Sequence, residues 1–267
     1  MFLPYHDDNP TQRLPLVTCG LIAINALAFL WSLVLNPLGQ LEFVYEHGFV
    51  PVRLDRLTSD EAIQIPVGPA EAEHGPQPDG VVVVFQPAPL AVLATLFTSM
   101  FLHGGWMHLL GNMWFLWLFG NNVEDRLGHV AYLLFYLAGG LVAALCHWLT
   151  DTQSPVPVIG ASGAVSAVLG GYAVTWPRAR IRALVFLFII ITTIEVPALV
   201  VLGFWFVQQL LEAYTAFNVG LDGGVAWWAH VGGFAAGAAA MKPLCAMIAP
   251  SAPRSPRDPP AVRWPSR

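Results

Sequence analysis

Apolar residues in this chain come in long unbroken blocks, and most polar residues gather at the block ends. A helix that crosses a membrane needs about 17–25 mostly apolar residues. Six blocks meet or approach that length: about 15–35, 106–122, 130–149, 161–176, 196–214 and 225–243. They predict an all-α polytopic membrane protein built as a bundle of six transmembrane helices over 15–243. Residues 183–195 (ALVFLFIIITTIE) are apolar but short, and Glu195 and Pro197 set them off from the fifth span. The β-branched run IIITTI suits a short hairpin or an interfacial segment on the inner side.

Between the first two spans lies a long segment, about 36–105. Its middle, about 53–88, is acidic and rich in proline and glycine, which predicts a flexible insertion. The apolar stretch LAVLATLFTSMFLHGG that follows is expected on the membrane surface. The proline-rich tail, 244–267, is expected to be disordered. The N-terminal 1–14 has no basic region ahead of the first apolar block and no small-residue cleavage site after it, so that block reads as a retained span.

Composition narrows the function. The chain is 56% hydrophobic and 11% charged, against about 25% charged in soluble domains. With no basic patch beyond short loops and the tail, nucleic acid is not an expected partner. The lipid bilayer is. With the N-terminus inside, ten of the twelve basic residues fall in inner segments, and only Arg53 and Arg56 fall outside. The positive-inside rule therefore puts both termini on the cytoplasmic side. Eleven arginines against one lysine (Lys242) point to a GC-rich, prokaryotic genome and hence a plasma (inner) membrane. The three cysteines, Cys19, Cys146 and Cys245, sit in apolar runs, so neither a disulfide framework nor a cysteine metal site is expected.

Polar groups inside a membrane are costly and mark candidate sites. His108 and Asn112 are four apart on one face of the second span. Ser162 opens the fourth span within Gly160-Ala161-Ser162-Gly163, and His230 lies near the outer end of the sixth. Each has a bland reading: interhelical hydrogen bonding for His108 and Asn112, small-residue packing for the serine motif, a satisfied polar residue for His230. Together they say more. Gly233 and Gly237 share a helical face with His230, and Gly163, Ser166 and Gly170 make a matching small face. Packing those faces brings Ser162 and His230 together at one depth. A serine hydroxyl needs a base, and imidazole is suited to the task. His108, Asn112 and the Ser162 backbone N–H are candidate oxyanion donors. Glu195, Glu212 and Asp222 are poorly placed to orient the histidine, so the residues read as a Ser–His dyad rather than a triad.

The stretches HGGWMHLLGN (103–112), VEDRLG (123–128), GASGAVSAVLG (160–170) and AHVGGFAAG (229–237) occur in this order on these spans. Over about 90–240 the chain thereby resembles the rhomboid intramembrane serine proteases. The resemblance implies Ser162 as nucleophile and His230 as general base and then acid. It also implies His108 and Asn112 as oxyanion donors and His103 as a loop histidine ordering the site's entrance. Gly160, Gly163, Gly233 and Gly237 support the site, and Glu124 and Arg126 match a structural pair. A substrate helix, from a single-span or polytopic membrane protein, would enter past the fifth span, with 218–224 as a mobile cap. No metal or organic cofactor is implied. One position departs from the pattern. The residue four after the nucleophile is often aromatic in rhomboids and stacks on the histidine; here it is Ser166, leaving a hydrogen bond or another ring, such as Trp227 or Trp228, to orient His230.

The alternative is a catalytically inactive rhomboid-like protein that binds membrane helices. An intramembrane metalloprotease would carry His-Glu-x-x-His, which is absent from the sequence. A channel or transporter would spread polar residues through the membrane depth, whereas these cluster at outer ends.

Overall fold

The computed structural model of the chain describes residues 2–67, 81–187, 190–219 and 225–248. Nine helices are described: α1 (Leu16–Val34), α2 (Pro37–His47), α3 (Pro51–Asp55), α4 (Pro89–Thr98), α5 (Trp106–Leu127), α6 (His129–Trp148), α7 (Ser162–Thr175), α8 (Ala198–Val219) and α9 (Trp227–Met247). Three of them, α1, α6 and α8, are each long and apolar enough to cross a membrane. A fourth candidate is the pair formed by α5 and the segment Pro89–Phe101, bent by 81° where they meet. The large apolar side chains on the outer faces, such as Leu27, Trp31, Leu134, Phe204 and Phe217, are exposed, as lipid-facing residues of an integral membrane protein should be.

The core forms around α7. This helix has 14 residues and is buried on nearly every side, from Gly163 through Ala173. A helix of that length rises about 21 Å, less than the roughly 30 Å hydrocarbon layer. Its neighbours α5 and α6 are longer, with 22 and 20 residues, and the chain just before Ser162, at Gly160, lies against His108 in the first turn of α5. Its most extensive contact is with α9. Glycine makes that contact possible. A Cβ on Gly233 would strike the Gly163 carbonyl oxygen, one on Gly237 the Ala167 carbonyl oxygen, and one on Gly170 the Phe234 carbonyl oxygen. The two small faces anticipated from the sequence are the faces that meet.

The expectation of an all-α chain needs correction, because five strands are described. β1 (Phe2–Asp7), β4 (Arg180–Leu187) and β5 (Ile190–Pro197) form an antiparallel sheet in the order β1-β4-β5. The hairpin anticipated at 183–195 is β4–β5, and the N-terminal segment adds the third strand. The insertion at 53–88 is likewise partly ordered: β2 (Ile63–Val67) pairs with β3 (Val81–Phe85). This hairpin packs with Tyr45, Val50 and Val52 in a small separate core, and the Arg53 guanidinium lies 4.0 Å over the Phe85 ring. Burial pushes the Arg53 guanidinium below its ordinary proton affinity. The rest of the insertion, 68–80, lies outside the described residues. At the other end, 244–247 continue α9 rather than beginning the tail, and Leu244 and Cys245 still pack on the bundle. The remainder of the tail from 249 is outside the described residues.

The stretch Glu124–Arg126 ties the C-terminal end of α5 to three other segments. Glu124, completely buried, accepts from the backbone N–H of Val17 and Thr18 at 2.8 Å each and from the Thr18 hydroxyl at 2.6 Å. It caps an α1 N-terminus that has no side-chain cap of its own, where a negative charge is favoured. Its other close partner is His129 Nδ1, at 2.6 Å. Asp125 accepts from the N–H groups of Gln12 and Arg13. Arg126 donates to the carbonyls of Cys245 and Ile248 at the end of α9. Glu124 and Arg126, two apart on the helix, point to different sides, and each ties α5 to a different segment.

Candidate active site

Ser162 is the first residue of α7, and the segment before it is tightly held. Val158 forms a backbone bridge with Phe49, and the Gly160 N–H donates to the Ser99 carbonyl at 2.9 Å. Gly160 has φ +122°, and a Cβ there would meet the His108 ring. Both facts restrict this position to glycine. The chain therefore turns into α7 against His108 and presents the Ser162 hydroxyl inward.

That hydroxyl meets α9. His230 Nε2 lies 2.8 Å from Ser162 Oγ, so the structure brings together the two residues singled out from the sequence. They lie on a cavity of about 890 Å³ that also takes in His108, Asn112, Trp205 and Gln209. Asn112 is buried and donates one amide hydrogen to the His108 carbonyl at 2.9 Å, which leaves the second available to the cavity. Ser162 opens a helix, so its own N–H and that of Gly163 fall among the first four, which lack intrahelical acceptors. The first bond of the α7 ladder runs from the Val165 N–H to the Ala161 carbonyl.

A family model of the rhomboid domain matches residues 91–247. This chain belongs to the rhomboid family. Several curated rhomboids are similar to it in part. Rhomboid protease GluP of Bacillus subtilis (strain 168) is 36% identical over 144 residues, 54% of this chain and 25% of that protein. Rhomboid-like protein 11, chloroplastic, of Arabidopsis thaliana is 44% identical over 68 residues, 26% of this chain and 24% of that protein. The human presenilin-associated rhomboid-like protein, mitochondrial, is 29% identical over 103 residues, 38% and 27%. The matched part thus spans about a quarter of each relative's length.

In this rhomboid, the Ser166 hydroxyl is not hydrogen-bonded to the histidine ring. It donates back to the Ser162 carbonyl at 2.6 Å, and a Cβ on Gly233 would come within 3.3 Å of the Ser166 Cβ. A small residue at 166 fits the close approach of α9 to α7 at Gly233. The imidazole is oriented from the other side. His230 Nδ1 is 2.6 Å from Gln209 Oε1 on α8, a partner that the sequence reading missed. Trp227 meets the ring edge-on at 5.8 Å, and Trp205 lies tilted at 6.1 Å.

His103 is buried and stands against His108, ring centroids 4.9 Å apart at 69°. It lines a second, smaller cavity with Phe29 and Phe43 rather than the Ser162 cavity. Gly163, Gly233 and Gly237 occupy the α7–α9 contact. The segment expected as a cap lies mostly outside the described residues, at 220–224. Among the described residues, no group of three or more His, Cys, Asp or Glu side chains is arranged to hold a metal ion.

Proposed function

We propose that this rhomboid is an intramembrane serine endopeptidase that cleaves transmembrane segments of other membrane proteins. The observation that carries the reading is the 2.8 Å contact between Ser162 Oγ and His230 Nε2 on a large cavity. His230 takes the hydroxyl proton as Ser162 attacks the scissile carbonyl. The tetrahedral oxygen is met by the Ser162 N–H, the free Asn112 amide hydrogen and the His108 ring. His230 then gives its proton to the leaving amine, and water resolves the acyl-enzyme by the same steps in reverse. A helical substrate has its carbonyls hydrogen-bonded, so it must unwind locally before attack. Segments with small or helix-breaking residues are therefore the expected substrates.

In this reading α1 and α5 to α9 cross the bilayer as six spans. The arginine distribution favours the cytoplasmic side for both termini; the relatives include chloroplastic and mitochondrial proteins as well as a bacterial one, so the kind of membrane is left open.

Covalent labelling with a fluorophosphonate probe tests the proposal without a known substrate. The full chain in detergent should label, and the Ser162→Ala and His230→Ala variants should not. A folded wild-type protein that stays unlabelled would favour a rhomboid-like protein that only binds membrane helices.

A further inference from the structure

The contact between His230 and α8 carries one step more, and it rests on the hydrolase reading above. We infer that Gln209 is a positioning residue for the Ser162–His230 pair: its amide oxygen sets the imidazole tautomer, and its place on α8 ties competence of the pair to the position of that helix.

A neutral imidazole has one N–H and one lone pair. To act as a base toward Ser162, His230 must keep the lone pair on Nε2 and the proton on Nδ1. The partner at Nδ1 decides this. An amide oxygen only accepts, so Gln209 Oε1 at 2.6 Å calls for Nδ1–H. The reversed amide would put the proton on Nε2, aimed at Ser162, and disable the base. Among the described residues, no other neighbour does the same job. The Trp205 and Trp227 rings confine the imidazole without selecting a tautomer, and the Ser166 hydroxyl is committed to the Ser162 carbonyl. Among the described residues, no carboxylate is hydrogen-bonded to His230.

Gln209 is buried on a helix whose adjoining residues Val207, Leu210 and Leu211 are exposed. It is a polar residue facing inward from a lipid-facing helix, and such residues are bonded to something. A neutral amide selects the tautomer without burying a charge. It also provides no countercharge to the imidazolium, unlike the aspartate of a triad. The helix that carries it rests chiefly on α9 and α7. An outward shift of α8 by about 1 Å would stretch the bond beyond hydrogen-bonding range. A membrane helix wedged against α8 would therefore switch the base off until α8 closed back on His230.

The test is the fluorophosphonate labelling rate of the full chain in detergent, measured across pH with thermal unfolding alongside. Gln209→Leu should label at least tenfold more slowly at neutral pH, with an unfolding midpoint near wild type. Gln209→Glu should still label, with the acid limb of its pH profile moved up by about one unit or more, because a carboxylate stabilises the imidazolium. A purely structural glutamine would not move that limb. If Gln209→Leu unfolds, the Gln209→Glu profile decides. Wild-type rates in Gln209→Leu, or an unmoved limb in Gln209→Glu, would overturn this inference while leaving the hydrolase reading intact. A folded wild-type chain that does not label would overturn both.

Discussion

Gly233 on α9 lies against the carbonyl oxygen of Gly163 on α7 so closely that no side chain fits between them. The two residues follow Ser162 by one position on α7 and His230 by three on α9. The Ser162–His230 distance is therefore set by backbone contact rather than by flexible side chains. Gly233→Ala should push the helices apart near the hydrogen bond. Misplacement by about 1 Å costs on the order of 100-fold, so fluorophosphonate labelling should fall by about that factor. The unfolding midpoint should drop as well. An unchanged labelling rate would show that α9 can slide without moving His230.

Asn112 gives one amide hydrogen to the His108 carbonyl and has one to spare. If that second hydrogen meets the oxyanion, Asn112→Ala should slow labelling by roughly 10²-fold, and turnover of any cleaved substrate with it. KM should change little, because the oxyanion exists only beyond the ground state. A raised KM at unchanged kcat would instead make Asn112 a substrate-binding residue.

Glu124 holds the start of α1 through three short bonds from a completely buried position. Glu124→Ala leaves those donors without an acceptor in an apolar setting. The loss should be about 3 kcal/mol, read as a lowered midpoint of unfolding in detergent. Glu124→Gln keeps an acceptor and should lose less.

Asp7 ends β1 and is buried between Asn122 and Tyr172, whose side chains donate to it at 2.7 Å each. Burial pushes its carboxyl up from 3.8 to about 7, against the lowering effect of those hydrogen bonds. The folded state therefore holds this proton more tightly than the unfolded chain. The stabilisation is complete below about pH 4 and is lost as pH rises to about 7. Relative to Asp7→Asn, the wild-type midpoint should decline across that interval and run parallel above pH 8. A constant difference from pH 4 to pH 8 would mean that Asp7 is ionised throughout.

Much of this architecture was legible from residues alone, because long apolar blocks and small-residue faces are local signals. The helix limits fall within a few residues of the expected spans, except that α5, α8 and α9 run on by four or five residues. Ser162 and His230 could be placed together because the glycine faces 163–170 and 233–237 leave few other ways to pack. Strand β1 could not be foreseen, since its partner β4 lies some 175 residues away and FLPYHD shows no alternation. Gln209 stood beside Gln208 in an otherwise apolar run, and only the packing of α8 shows which of the two faces inward. The signal was present all the same: an inward-facing amide in a membrane helix needs a partner, and His230 lacked one.

The turn at 124–126 also bears on how the chain is joined. Residues 2–34 meet the rest of the bundle through side chains and strand pairing: β1 on β4, Asp125 at Gln12 and Arg13, Glu124 at the start of α1. Peptide continuity plays no part in those joints. The N-terminal piece is thus a plug seated in a socket, and the rim of that socket is the end of the same rod, α5, that carries His108 and Asn112 some 20–30 Å away. Loosening the plug frees one end of that rod, and the other end borders the cavity of Ser162.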